Sequence, residues 1–308
     1  MGQKGAGDII FLRDQVREFA LAQLACLKPL EVAPHPGITL GHRLVPVRSV
    51  GCYVPGGYYP LIASVHMQVV TARAAGVERV IVCAPPRGEG VSPPTLVAMD
   101  ACGADEIYCL GGVQALAAMA FGTSEIAPVE MITGPGNPFV AEAKRQLFGE
   151  VGIDLLAGPT EILITLATRE IAEQAWRRRG AIAVVDGAEA MVAYADWFAP
   201  EHLEVITNDP GWYLERLRNY GSIFLGEEAT VAYSDKAIGT NHTLPTGRAA
   251  RYTGGLWVGK FIKVVTYQRL SRQGSNFIAP YASRIAAMEG MLAHAATCDR
   301  RLKKYGGR

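Results

Sequence analysis

Short apolar runs that end in a glycine or proline turn and pass straight into a helix recur along this chain, and that rhythm limits its fold more than any other feature. Residues 50–54 run into Pro55-Gly56-Gly57, and a helix over 63–75, closed by Gly76, is expected next. Residues 79–84 read as a strand ended by Pro85-Pro86, and a helix over 93–102 leads to a strand at 106–110. Gly111-Gly112 then opens a helix over 113–121. A strand at 131–133 enters Gly134-Pro135-Gly136-Asn137-Pro138, ahead of a helix over 139–147. Strands are expected again at 153–156 and 161–165. Parallel strands need long crossover connections, which helices supply, so the alternation predicts parallel sheets and an α/β fold.

Three of the glycine turns follow strand ends. Glycine there lets a ligand approach the backbone, and the helix start that follows offers free amide donors to a phosphate. None matches G-x-G-x-x-G, so the standard dinucleotide fingerprint is absent. Each turn alone is tight strand–helix geometry. Together, with Gln114 and Asn137 close behind two of them, they point to a cofactor cleft.

The second half repeats the rhythm once more. A strand at 181–185, Asp186-Gly187 and an amphipathic helix to Trp197 are followed by Ala199-Pro200-Glu201-His202-Leu203. Pro200 stops the helix, and 203–206 resumes strand alternation. Glu201 and His202 then fall at the rim of a parallel sheet, where α/β proteins gather their chemistry. Imidazole accepts and returns a proton near neutrality, and a neighbouring carboxylate can steer water. An isolated pair of this kind is also an ordinary feature of polar loops. A strand at 223–225 follows, residues 230 to about 270 read as loop-rich, and a last helix is expected over 280–298. At the other end, Phe11, Val16, Phe19, Ala20 and Leu24 mark an amphipathic helix over 8–27.

With 308 residues, 49% of them apolar, the chain can bury one large core or two modest ones. A net charge of +1 offers no general attraction to nucleic acid or to an anionic membrane. Arg177-Arg178-Arg179 reads as a solvated helix end. The six cysteines form no C-x-x-C pair, so reduced thiols in a cytoplasmic protein are expected. No signal core and no bilayer-length apolar run are visible.

Seven segments resemble the histidinol dehydrogenase family: residues 51–57, 103–123, 134–149, 151–164, 199–205, 239–246 and 289–294. They occur in family order. Residues 58–77 and 250–270 look most like the family's sulfopropanediol dehydrogenase branch. The resemblance implies a four-electron oxidation of a primary alcohol, through an aldehyde and its hydrate, to a carboxylate, using two NAD molecules in succession. Sulfopropanediol and histidinol are the substrates it points to. His202 matches the proton-transferring histidine and Glu201 the carboxylate that activates water. Tyr53, Gln114 and Asn137 match positions that touch NAD. Thr160 falls where the family binds substrate through a hydroxyl, and Glu289 matches a substrate contact. Asp235 and His294 match two zinc ligands that also hold substrate through the metal. His242 lies in a matching motif, with a structural role equally open to it.

The resemblance also implies two incomplete Rossmann-like parallel-sheet lobes. One spans 53–159, and the other combines 1–52 with 160–256. A helical, loop-rich tail over 257–308 is expected to reach a second copy, so that Glu289 and His294 complete the neighbour's site in a homodimer. The family's other two zinc ligands lie in a Gln-x-x-His helix that should fall between Thr165 and Ala181. That helix–strand–helix block is missing here, and Gln174 is followed three places later by Arg177, which cannot ligate a metal. The family's amino-terminal segment is also largely absent. Three readings follow: a dehydrogenase with its zinc weakened or replaced, a silent homologue that binds a nucleotide or a partner, or a metal-independent oxidation using His202 alone.

Overall fold

The computed structural model describes residues 3–56, 60–156 and 169–306. The chain opens with helix α1 (Gln3–Ala25) and a hairpin of β1 (Leu30–His35) and β2 (Ile38–Pro46). It then enters a five-stranded sheet of β3 (Ser49–Tyr53), β4 (Arg79–Ala84), β5 (Glu106–Cys109), β6 (Met131–Thr133) and β7 (Gly152–Ile153). The strand order is β5-β4-β3-β6-β7, and every neighbouring pair is parallel.

Helices carry each crossover. Between β3 and β4 lie α2 (Ile62–Val65), a π turn at His66–Val70 and α3 (Thr71–Ala74), in unbroken succession. The later crossovers are α4 (Pro93–Ala101), α5 (Gly112–Phe121) and α6 (Pro138–Leu147). α6 starts cleanly because Pro138 occupies its first turn and Asn137 Oδ1 accepts the Val140 amide at 3.0 Å. Central strands of a parallel sheet are buried on both faces. Val50, Cys52, Val80, Ile81, Val82 and Ile132 accordingly have no exposed surface.

The chain continues through α7 (Arg169–Arg179), α8 (Ala188–Phe198), β8 (His202–Val205), α9 (Pro210–Leu214), β9 (Ser222–Leu225) and α10 (Val231–Lys236). β8 and β9 pair in parallel, His202 opposite Ser222. The last elements are β10 (Ile262–Leu270), α11 (Arg272–Met288) and α12 (Leu292–Tyr305). The chain divides into two compact units, Met1–Leu24 with Pro46–Phe261, and Ala25–Val45 with Ile262–Arg308. In the second unit β1 and β2 pair antiparallel, and the sheet order is β1-β2-β10. No helix among the described residues is long and apolar enough to cross a membrane.

The α/β fold and its parallel strands follow the sequence rhythm. Three local expectations do not hold. Residues 181–185 are not a strand: Ile182 is 81% and Val184 92% exposed, and nothing among the described residues pairs with them. A strand needs a ladder partner, and β8–β9 is a two-stranded sheet. The expected single helix over 280–298 is two, α11 and α12, broken at Gly290 with φ +72°. The loop-rich 230–270 region ends in the nine-residue strand β10, whose side chains are almost all exposed. The strand expected at 161–165 lies outside the described residues.

One buried charged pair braces the turn that follows β6. Lys144, on α6, donates to Asp154 Oδ1 and, at 2.8 Å, to the Gly134 carbonyl, while Gly134 N–H donates to Asp154 Oδ2 at 2.9 Å. Both side chains are buried. Breaking a buried pair strands a charge, which costs about 3–5 kcal/mol. Lys144→Met is expected to lower the unfolding free energy by about that amount in urea melts. Lys144→Met with Asp154→Leu should recover only part of it, because Gly134 N–H then loses its acceptor.

Candidate functional site

The sheet order fixes where a ligand can enter. After β5 the chain crosses back over β3 to lay down β6 on its other side. The carboxyl ends of β3 and β6 therefore diverge, and open α/β sheets bind ligands at such a reversal. Tyr53 ends β3, Gln114 lies in the first turn of α5 and Asn137 caps α6, so all three expected NAD contacts lie at this end of the sheet. Tyr53 is buried and its hydroxyl accepts the Gly112 amide at 3.1 Å, while Gln114 and Asn137 are exposed. A shallow cleft lies over the ends of β3 and β4, lined by Val54, Pro55, Ala84, Pro85, Arg87 and Thr95 among others.

The turn after β6 is tightly held. Gly134 has φ +116°, and a Cβ there would stand 2.1 Å from the Tyr53 carbonyl oxygen and 2.8 Å from Gln68 Oε1. Only glycine fits. Gln68, fully buried in the π turn, donates to the Tyr53 carbonyl at 3.1 Å and accepts from the Thr133 hydroxyl at 2.9 Å. It thus ties the diverging ends of β3 and β6 together. These residues fit a dinucleotide: a glycine turn of close backbone approach, a helix start behind it, and a rigid floor.

The second cluster grows from the end of α8. Ala199, at φ 54° and ψ 63°, takes the left-handed turn usually left to glycine at helix ends, and Pro200 bars continuation. Arg248 and Arg251 both donate to the Trp197 carbonyl, and the Arg248 guanidinium lies over the Trp197 ring. Two cations at a helix carboxyl end oppose its dipole favourably. These arginines therefore hold the helix end that delivers Glu201 and His202. Glu201 is buried at 5% exposure, and its carbonyl accepts the Ser222 amide at 2.9 Å. His202 is largely buried, its Nδ1 3.8 Å from Glu201 Oε2 and its ring stacked on Phe224 at 6.0 Å.

Asp235 and His242 belong to the same unit. Asp235 lies in the last turn of α10, a helix capped by Thr230. His242 Nδ1 lies 3.2 Å from the Asp235 carbonyl oxygen and 3.8 Å from its Oδ1. Burial pushes the imidazoles of His202 and His242 below their ordinary 6.5, and the Asp235 charge pulls both back upward. His242 also feels His202. The structure thus gathers Glu201, His202, Asp235 and His242.

Glu289, at the end of α11, and His294, on α12, are exposed residues of the second unit. Thr160 lies outside the described residues. Among the described residues no group of three or more His, Cys, Asp or Glu side chains could hold a metal ion. Catalytic zinc normally takes three protein donors, so the described donor set does not fit it. Sequence reasoning missed Gln68, Lys144, Asp154 and Asn241. Lys144 had left a signal, since it shares one helix face with Val140 and Leu147 and is buried with them.

Comparison with known proteins bears directly on this arrangement. The histidinol dehydrogenase family model matches residues 4–167 and again 164–302. A histidinol dehydrogenase homologue of Mesorhizobium japonicum is 50% identical over 98% of this chain and 70% of its own length. Sulfopropanediol 3-dehydrogenase of Ruegeria pomeroyi is 43% identical over 98% of this chain and 82% of its own. The crystal structure of histidinol dehydrogenase from Elizabethkingia anophelis superposes with a TM-score of 0.88, at 27% identity, covering the whole of this chain and 82% of that one. The first alignment runs over 351 positions, more than the 308 residues present, so it holds several tens of gap positions on this side. Matched along nearly its whole length in sequence and in fold, this chain belongs to the histidinol dehydrogenase family.

Proposed function

We propose that this chain is an NAD-dependent dehydrogenase that oxidises a small polar primary alcohol, through its aldehyde, to the carboxylate, with sulfopropanediol or histidinol as candidate substrates. The observation that carries the reading is the meeting of Glu201, His202, Asp235 and His242 in the same unit as the glycine-lined strand ends. NAD, when bound, accepts the hydride that leaves the alcohol carbon. His202, held neutral by burial, takes the hydroxyl proton as that hydride departs. Glu201 then orients and deprotonates the water that adds to the aldehyde, and the hydrate gives up a second hydride. Two hydrides account for the four electrons, and water supplies the second carboxylate oxygen.

The Asp235 carboxylate favours the protonated form of both imidazoles and so steadies whichever takes the proton. No step is routed through zinc, because the described donors do not make up a site. Asp235 and His294 stand as the family-matched positions, with Glu289 and Thr160 as substrate contacts. The proposal extends to a homodimer in which residues 257–308 are exchanged and the two lobes divide at 53–159. Its support is the apolar surface of the second unit, where Ile285, Met288 and Leu292 are 53%, 75% and 71% exposed. A soluble, cytoplasmic setting completes the reading.

A silent homologue that binds a nucleotide or a partner is the second reading, favoured by the alignment gaps. Incubation with NAD and either alcohol, with and without added zinc, followed by nicotinamide absorbance, separates the two. Turnover is expected, and its absence with both alcohols under both conditions overturns the enzyme reading. His202→Asn should cut kcat by about 100- to 10,000-fold. Glu201→Gln should leave alcohol oxidation but stop at the aldehyde, detected by trapping it with a hydrazine. The pH profile of kcat/KM should rise through a midpoint below the ordinary imidazole value of 6.5, since burial favours the neutral base. Asp235→Asn removes the charge that favours the imidazolium and should move that midpoint lower still.

A further inference from the structure

The crossover between β3 and β4 is not a uniform α-helix. The π turn His66–Val70 interrupts it, and all five residues are buried. Such widened turns are rare, recur at functional sites, and disturb the regular ladder so that other groups must satisfy backbone carbonyls. Here the Met67 carbonyl accepts from the Thr71 hydroxyl at 2.7 Å and from the Asn241 side-chain amide at 2.8 Å. Asn241 Oδ1 in turn accepts the Thr243 amide at 3.0 Å. The loop that carries His242 is thus pinned to the π turn through Asn241, which also braces the residue on the other side of that histidine.

The next residue of the same turn faces elsewhere. Gln68 donates to the Ser64 and Tyr53 carbonyls at 3.0 and 3.1 Å and accepts from Thr133 at 2.9 Å. Met67 acts through its backbone carbonyl and Gln68 through its side chain, so adjoining positions serve different neighbours. Residue 67 holds the loop beside Asp235, and residue 68 holds the strand ends beside Gly134. A further tether holds the turn to α1: the His66 ring nitrogens lie 3.1 and 3.0 Å from the carbonyl oxygens of Ile62 and, on α1, Ile9. Every one of these contacts is side chain to backbone or buried polar to buried polar, where a missing partner is costly.

We propose that the π turn is the joint that keeps the loop bearing His242, and with it Asp235, in register with the crevice between β3 and β6. Gln68 and Asn241 are positioning residues on its two sides. The inference rests on the dehydrogenase reading only in taking that crevice to hold NAD. The joint itself is a matter of geometry.

Two variants of the full chain test it, Gln68→Leu and Asn241→Ala, each read by hydrogen exchange and by NADH binding. A joint transmits disturbance across itself. Gln68→Leu is expected to raise exchange in 239–246 as well as in 131–137, and Asn241→Ala to raise it in 131–137 as well as in 239–246. Asn241→Ala should also weaken NADH binding, followed by its fluorescence, by about fivefold. Asn241→Asp, which keeps the acceptor for Thr243 but loses the donor to Met67, should reproduce the distant effect. Gln68→Glu retains an acceptor for Thr133 and covers the case in which Gln68→Leu fails to fold. Exchange changes confined to each variant's own side, with NADH affinity unaltered in Asn241→Ala, overturn the joint. If the unmodified protein binds no NADH, the NAD reading falls, and the exchange measurements alone decide the joint.

Discussion

Two parallel strands that pair and then part leave backbone groups that no ladder can serve. β3 and β6 pair up to Cys52 and Thr133 and then diverge, and this divergence is what opens a binding crevice at all. The groups beyond the last rung are satisfied from outside the sheet. Gln68 serves the Tyr53 carbonyl, Asp154 the Gly134 amide, and Lys144 the Gly134 carbonyl. A buried polar network that is satisfied throughout is rigid, because each member loses a partner if any other moves. The carboxyl end of the sheet owes its definition to these side chains more than to hydrophobic packing, which fixes only that the strands are buried.

The chemistry at the other cluster depends on a contest between burial and charge. An imidazole taken out of water favours its neutral form, and a nearby carboxylate favours the cation. At both His202 and His242 burial is the larger effect, so both are driven toward the neutral form. That is the useful outcome for a base, which must be unprotonated before substrate arrives and protonated only during the reaction. Asp235, acting on both rings, limits how unfavourable the cation becomes. The sharp turn at Ala199 serves the same end. A residue with a Cβ is held in the left-handed region by the helix behind it and the proline ahead, at a cost of about 1–2 kcal/mol. Arg248 and Arg251, fastened to the Trp197 carbonyl, help to hold that turn.

Much of this was legible in the sequence, for identifiable reasons. Strand–glycine–helix succession marks parallel sheets because each step has its own chemistry: apolar burial, a tight turn, a cap. β4 emerged with its bounds intact, and Glu201-His202 fell at the rim of β8 as Pro200 requires. What escaped lacked a periodic signature. β10 alternates with almost no buried side chain, so no pattern of burial marks it. The π turn has the composition of any buried helix. Gln68 and Asn241 act through contacts to distant segments, 65 positions away for Gln68 to Thr133 and 174 for Asn241 to Met67. Local pattern carries no information at that range.

Residues 181–185 teach the converse lesson, that a strand-like sequence does not make a strand by itself. Ile182 and Val184 have strong β propensity, yet propensity of this kind is chiefly the gain from packing against neighbours on a sheet. The family model breaks at residues 164–167, and the gaps in the alignment point to a block of several tens of residues that the relatives carry. β8 and β9 pair only with each other, 181–185 takes up neither of their outer edges, and its apolar side chains stay in solvent. α8 shows the same effect, carrying Met191, Tyr194, Trp197 and Phe198 without one buried residue. The five-stranded sheet, by contrast, has fully enclosed central strands. Local stability follows buried contact, so the unit is firm at the five-stranded sheet and loose behind α8. Glu201 and His202 lie on the boundary, fixed on one side by β9 and the two arginines and lightly supported on the other.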